Sequence, residues 1–282
     1  KTIIALMALS GVASAALNYG DAAFKANEEL MDGVIASYDF NKDGENLVSD
    51  YSLHVWDNAT RSEVDGPFTI TSDGYADITS NGVYSSNMGT EFATGSFTIT
   101  FDLISSSYNS KYAWASLLAL YSDSHGAQAR WQHALSFRNQ GGENTNYYLS
   151  LADGGVTGFD GRTDNTKAID SGISVNRSTM TNMTIVSAEA AEGSQYGTLT
   201  LYINGEQKGQ VTDWNAKNLV GINFGGTLGG EDKVGTSYID NVTIWNTALS
   251  ANAVASLQVP EPTTATLSLL ALAGLAARRR RK

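Results

Sequence analysis

Thr198-Leu199-Thr200-Leu201-Tyr202-Ile203-Asn204-Gly205 decides the fold. Leu199, Leu201 and Ile203 fall at every second position, so an extended strand places them on one face and threonine and tyrosine on the other. Asn204-Gly205 supplies the two positive-φ residues of a tight hairpin, and the chain returns as Glu206 to Val211. The same alternation recurs upstream at Ser96–Leu103, where Phe97, Ile99, Phe101 and Leu103 share a face. Further strands are expected at Val34–Phe40, Phe68–Thr71, Tyr75–Ile78, Ala113–Tyr121, Gln132–Phe137, Tyr147–Leu151, Met183–Ala188, Val220–Phe224 and Ser237–Trp245. Ser250 caps a short helix, Ala251–Leu257. About a dozen antiparallel strands with almost no helix predict an all-β sandwich or jelly roll.

The two ends of the chain read differently from its body. Lys1, the apolar run Ile3–Leu9 and Val12-Ala13-Ser14-Ala15 form a secretory signal peptide, residues 1–15, with cleavage expected between Ala15 and Ala16. Residues 16–31 follow as a mobile leader or a short helix from Asp21 to Met31. At the other end, Pro260-Glu261-Pro262 precedes an apolar segment, residues 263–277, and then Arg278-Arg279-Arg280-Arg281-Lys282. The prolines stop the preceding element, and the cations hold the end on the cytoplasmic side of a membrane. The apolar run falls short of the roughly 20 residues of a comfortable span, which suits a transient signal better than a permanent anchor.

Residues 259–282 closely resemble the PEP-CTERM sorting tail of bacterial envelope proteins. The resemblance implies that a membrane protease, exosortase, recognises Pro260, Glu261 and Pro262 and removes the tail. It also implies a protein exported to the cell envelope, outer surface or extracellular matrix, and held at the inner membrane through residues 263–277 until processing.

Between the two signals about 240 residues remain, enough for one large sandwich over residues 32–258. The whole chain carries a net charge of −11; without Lys1, Glu261 and the terminal cations, 12 positive and 28 negative side chains remain. So acidic a body argues against nucleic acid and anionic lipid as partners, and is compatible with divalent cations or neutral glycans. There is no cysteine, which excludes disulfides, zinc–thiolate sites and cysteine catalysis.

Three blocks carry a second resemblance. They are Leu199-x-Leu201-Tyr202-Ile203-Asn204-Gly205, Val220-Gly221-Ile222-Asn223-Phe224-Gly225-Gly226, and Tyr238-Ile239-Asp240-Asn241-Val242-Thr243-Ile244-Trp245 running on to Ser250. In this order they resemble the end of a laminin-G-like, concanavalin A-like domain, with Tyr38-Asp39-Phe40 matching its first strand more loosely. Residues 105–180 carry no motif of that family. The resemblance implies two curved antiparallel sheets and first and last strands that are neighbours. It also implies a structural calcium beside the aspartate of the closing strand, here Asp240.

Asp240 draws attention on its own account. Strict alternation puts it on one face with Tyr238, Val242 and Ile244, where a carboxylate is costly unless paired or metal-bound. Asp39, Asn41 and Asp43, with Gly44 and then Asp50, have the ligand spacing of a calcium loop. The loop departs from that pattern in having aspartate at its last position and a strand before it. A calcium site and a plain acidic turn both fit these residues. A glycine-rich loop, Asp153–Asn165, reads either as a mobile connection or as a ligand loop.

Sugar rings stack on exposed aromatic faces, for which Trp131, Tyr147 and Tyr148 are the first candidates, ahead of Trp56 and Trp114. Trp131 lies beside Arg130, Gln132 and His133, which add hydrogen-bond donors. Catalysis has little support. The E-x-D-x-x-E triplet of sandwich glycosidases, HExxH and G-x-S-x-G are all missing from the sequence. The expected function is a non-catalytic glycan- or exopolysaccharide-binding domain; the alternatives are a structural or adhesion protein without defined sugar affinity and a glycoside hydrolase with carboxylates from distant strands.

Overall fold

The structure is a computed structural model that describes residues 16–40, 47–48, 53–57, 62–64, 69–79, 82–85, 95–105, 116–122, 133–139, 146–152, 163–174, 179–194, 196–214, 219–225 and 236–258. Two antiparallel sheets pack face to face, as the alternation predicts. The first contains β1 (Val34–Tyr38), β4 (Ala76–Asp77), β6 (Phe97–Ser105), β11 (Thr181–Ala188), β12 (Gly197–Ile203), β13 (Glu206–Trp214) and β15 (Ser237–Trp245). Its order is β1-β15-β6-β11-β12-β13, with β4 pairing β15 beyond the end of β1. The second contains β2 (His54–Asp57), β3 (Ser62–Val64), β5 (Gly82–Ser85), β7 (Ser116–Ser122), β8 (His133–Asn139), β9 (Asn146–Ala152), β10 (Thr163–Ser174) and β14 (Leu219–Phe224). Its order is β10-β9-β8-β7-β14-β5-β2-β3.

The core lies between the sheets. Phe97, Ile99, Phe101 and Leu103 of β6 line it with Leu199, Leu201 and Ile203 of β12, and all are buried. Leu118, Leu120, Leu149, Ile222 and Phe224 come from the opposite sheet. Phe101 and Phe224 meet edge to face across the gap, their centroids 5.4 Å apart. At one side the sheets close on each other. A Cβ on Gly209 of β13 would lie 2.6 Å from Ile169 Cγ2 of β10, so only glycine admits that approach.

The Asn204-Gly205 hairpin forms as expected, with φ of 49° and 75°. A Cβ on Gly205 would also meet Gln258 Cγ at 2.7 Å. Gly205→Ala is therefore expected to destabilise the domain by about 1–2 kcal/mol in urea unfolding, through left-handed strain and that contact.

Several expectations are corrected. The leader, expected to be mobile or a single short helix, is a packed segment with two four-residue helices, α1 (Ala22–Lys25) and α2 (Glu28–Met31). Asn27 separates them because its side chain accepts from the N–H groups of Glu29 and Leu30, capping α2. The final helix, α3 (Ala251–Ser256), is capped by Ser250, which accepts from Ala253 N–H at 3.1 Å. β2, β3, β5 and β10 have no counterpart in the sequence reading, and β10 begins at Thr163, inside the loop expected to run to Asn165. Phe68–Thr71 contributes an isolated bridge, Ile70 to Ala76, rather than a strand.

Leader and α3 together cover the outer face of the first sheet. Phe24 and Leu30 join Trp245, Leu249, Val254 and Leu257 in a second buried cluster against Val186 and Tyr202. Leu17 N–H donates to Leu257 O at 2.9 Å, tying the start of the leader to the end of α3. Beneath this cover lies a buried polar layer of Thr98, Thr100, Asp102, Asn182, Thr184 and Asn241. Asn182 is its hub: Nδ2 donates to Asp102 Oδ1 at 2.9 Å, and Oδ1 accepts from Gln258 Nε2 at 2.7 Å.

Candidate functional site

β1 pairs β15 with Tyr38 opposite Val242, so the sequence brings Asp39 to the neighbourhood of Asp240. Asp240 itself stands opposite Asp102 of β6. The next residue, Asn241, adopts φ 49°, and the register with β6 shifts between Asp240 and Thr243. This bulge inserts one residue and reverses the alternation. Ile239, Val242 and Ile244 face the core, and Asp240 does not share the face of Val242 and Ile244 as strict alternation predicts. It lies on the outer face with Asp102. The sequence offers no glycine to announce this bulge; asparagine's tolerance of left-handed backbone is the one available signal.

Asp102 is nearly fully buried, and both of its oxygens are engaged. Oδ1 accepts from Asn182 Nδ2 and Oδ2 from Asn241 Nδ2, each at 2.9 Å, and Oδ2 also accepts from Ala16 N–H at 3.2 Å. Burial raises its pKa while these three donors oppose the rise. Asp240 accepts from Asn241 N–H at 2.8 Å. Its pKa is pushed up to about 7, chiefly by burial and then by the charges of Asp102 and Asp39, against hydrogen bonds from the backbone of Asn241 and Phe40. Burial raises the Tyr75 phenol too, helped by Asp240, Asp73 and Asp102. Among the described residues no lysine, arginine or histidine forms an ion pair with Asp102 or Asp240.

Hard carboxylate oxygens in a cation-poor pocket are the donor type calcium takes. Asp39 and Asp240 supply such oxygens, with the backbone N–H groups of Asn241 and Phe40 already donating to Asp240. At Asp102 three donors engage both oxygens. Among the described residues no cluster of three or more histidine, aspartate or glutamate side chains could hold a metal ion, and Asn41, Asp43 and Asp50 lie outside those residues.

The second sheet offers a different surface. Leu149 of β9 is buried in the core, opposite Phe137 of β8 and Ile169 of β10. Its neighbour Tyr148 stands on the other face, opposite Arg138 on one side and Asp170 on the other. Ser136 and Ser150 pair one step further along that face. Tyr147 shares the core-side face with Leu149 by the same period. Trp131, Pro260, Glu261, Pro262 and Ala15 lie outside the described residues, whereas Ala16 is buried against Asp102.

These two layers and their closing strand define a family. The chain belongs to the concanavalin A-like lectin/glucanases superfamily, which it matches over residues 79–255, well over half its length. A PEP-CTERM protein-sorting motif matches residues 258–282, which implies export, envelope association and exosortase processing. No helix among the described residues is long and apolar enough to cross a membrane. No curated protein matches the chain.

Solved structures share the fold at low identity. Domain 4 of AbnA, an extracellular GH43 arabinanase from Geobacillus stearothermophilus, was solved with arabinotriose; it is 13% identical with a TM-score of 0.54, covering 80% of this chain and 98% of that one. The ligand-binding domain of botulinum neurotoxin serotype D, solved with N-acetylneuraminic acid, is 15% identical with a TM-score of 0.54 over 84% of this chain and 52% of that one. The binding domain of Paraclostridial Mosquitocidal Protein 1 is 14% identical with a TM-score of 0.50, covering 80% and 52% respectively. The chain thus spans about half the length of the two toxin domains.

Proposed function

We propose that this exported domain binds glycan or exopolysaccharide at the cell surface without catalysis. The observation that carries the reading is the row Arg138–Tyr148–Asp170, one residue from each of three adjacent strands on the sheet face away from the core. The register thus puts a tyrosine position between an arginine and an aspartate position, with the Ser136–Ser150 pair one step along, residue types that combine stacking with donors and acceptors for sugar hydroxyls. Two proteins of the same fold were solved with sugars bound, which supports this choice of ligand class. Trp131, two residues ahead of β8 in the sequence, is the second stacking candidate.

A structural calcium is part of the proposal. Asp39 and Asp240 would hold it, completed by Asn41, Asp43 and Asp50, joining the first and last strands and stabilising the domain by linkage. The ion would offset the buried charge of Asp240.

Tyr148→Ala is expected to abolish saturable binding on a glycan array while leaving the melting temperature within about 2 °C, since that position is on the outer face. Retention in extracellular polymer without saturable binding by the parent protein would instead favour the matrix or adhesion reading. Hydrolysis of an array glycan would make it an enzyme.

A further inference from the structure

The leader meets the acidic layer at its first residue. Ala16 N lies 3.2 Å from Asp102 Oδ2, Leu17 N–H is held by Leu257 O at 2.9 Å, and Asn18 Nδ2 donates to Asn241 Oδ1 at 3.2 Å. These three contacts fix residues 16–18 against β6, β15 and α3, and Ala16 is buried. Immediately upstream runs Val12-Ala13-Ser14-Ala15, the small-residue pattern that signal-peptide-cleaving proteases accept. Adding water across the Ala15–Ala16 peptide bond gives Ala15 a carboxylate and Ala16 an amine. That amine takes up the released proton to become ammonium, since α-amino groups titrate at about 7.7–8.0.

We propose that the α-ammonium of mature Ala16 is the counter-ion of buried Asp102. The nitrogen that donates in the uncut chain as a neutral amide is the same atom that gains the charge on cleavage, so no rearrangement is needed to form the pair. A charged donor makes a hydrogen bond to carboxylate roughly twice as strong as a neutral one. It also places a cation where the described residues supply none, beside a carboxylate that Asn182 and Asn241 already orient. Removal of the signal peptide then does more than release the protein: it completes the polar layer beneath the leader. The inference rests on cleavage after Ala15 and is independent of any sugar or calcium binding.

The test is a double-mutant cycle on the exported protein, run in chelator. One chain begins at Ala16, a second carries Gly-Ser ahead of Ala16, and each is made with Asp102 and with Asp102→Asn. The extension is expected to lower the melting temperature by about 3–6 °C with Asp102 present, and by no more than about 1 °C with asparagine there. Equal shifts in the two backgrounds, or none with Asp102, would overturn the pairing. A second readout needs no variant. The α-amine of the folded protein is expected to react with an amine-acylating reagent at neutral pH on the order of tenfold more slowly than in urea. Equal rates, or an N-terminal sequence that does not start at Ala16, would also overturn it.

Discussion

Trp245→Ala is expected to destabilise the domain by about 3–5 kcal/mol and to release the leader from the sheet. Trp245 is fully buried on the outer face of the first sheet, with its ring stacked on Phe24 at 5.9 Å and its Nε1–H donating to Leu30 O at 2.8 Å. The indole thus holds both leader helices at once. Alanine leaves a cavity between Phe24 and Val254, and it leaves the Leu30 carbonyl without its donor. For a domain of this size the loss corresponds to roughly 6–20 °C in melting temperature. Trypsin cleavage at Lys25 should accelerate in parallel, because α1 loses its platform. Trp245→Phe keeps most of the stacking and removes only the donor, so its cost should be near 1–2 kcal/mol. A melting temperature unchanged by the alanine variant would mean that the leader contributes nothing to the fold.

Asp240 should make stability fall as pH rises. Its carboxyl is pushed up to about 7 in the folded state, from an ordinary value of 3.8. Between those values the folded chain keeps a proton that the unfolded chain has released, so each unit of pH in that window disfavours folding by about 1.4 kcal/mol. The accumulated loss, discounted for residual solvent screening, is about 2–4 kcal/mol between pH 4 and pH 7, with little change from this group above it. Burial is the largest cause, so the effect survives an ammonium beside Asp102. In chelator, Asp240→Asn is expected to flatten the profile and to exceed the parent in stability at pH 8. With calcium the order should reverse, because the ion binds the parent alone with full affinity. Urea unfolding of parent and variant at pH 5 and pH 8, with and without calcium, measures all eight values; a parent profile that is flat in chelator removes the claim.

The first sheet was legible in the sequence because its strands alternate cleanly. Ser96–Leu103 and Thr198–Ile203 have one wholly apolar face each, and Asn204-Gly205 fixes the partner of the second by turn chemistry alone. β2 and the edge strand β3 are short and interrupted by charge, so period-two counting finds nothing there. β10 opens with Thr163-Asp164-Asn165-Thr166-Lys167, a polar run that reads as loop; Thr163 pairs Ala152 of β9 and the register shifts before pairing resumes at Ala168. The acidic site was half legible. Asp39 and Asp240 meet because β1 pairs β15, a pairing that the family resemblance implies and local pattern does not. Asp102 was missed. It occupies the polar side of an alternating strand, and only the leader folding over that side makes it a buried group. Tertiary cover, not strand pattern, sets its chemistry.

The hydrogen bond between Leu17 and Leu257 leaves the folded polypeptide almost a ring. Joining Ala16 to Gln258 by a short peptide and reopening the backbone at the exposed Ala191–Ser194 turn, at the far end of β11 and β12, would permute the connectivity without disturbing either layer. Such a circular permutant would have no charged terminus at Ala16, so it separates the value of closing the ring from the value of the cation. It would also move any fused tether to the opposite pole of the domain.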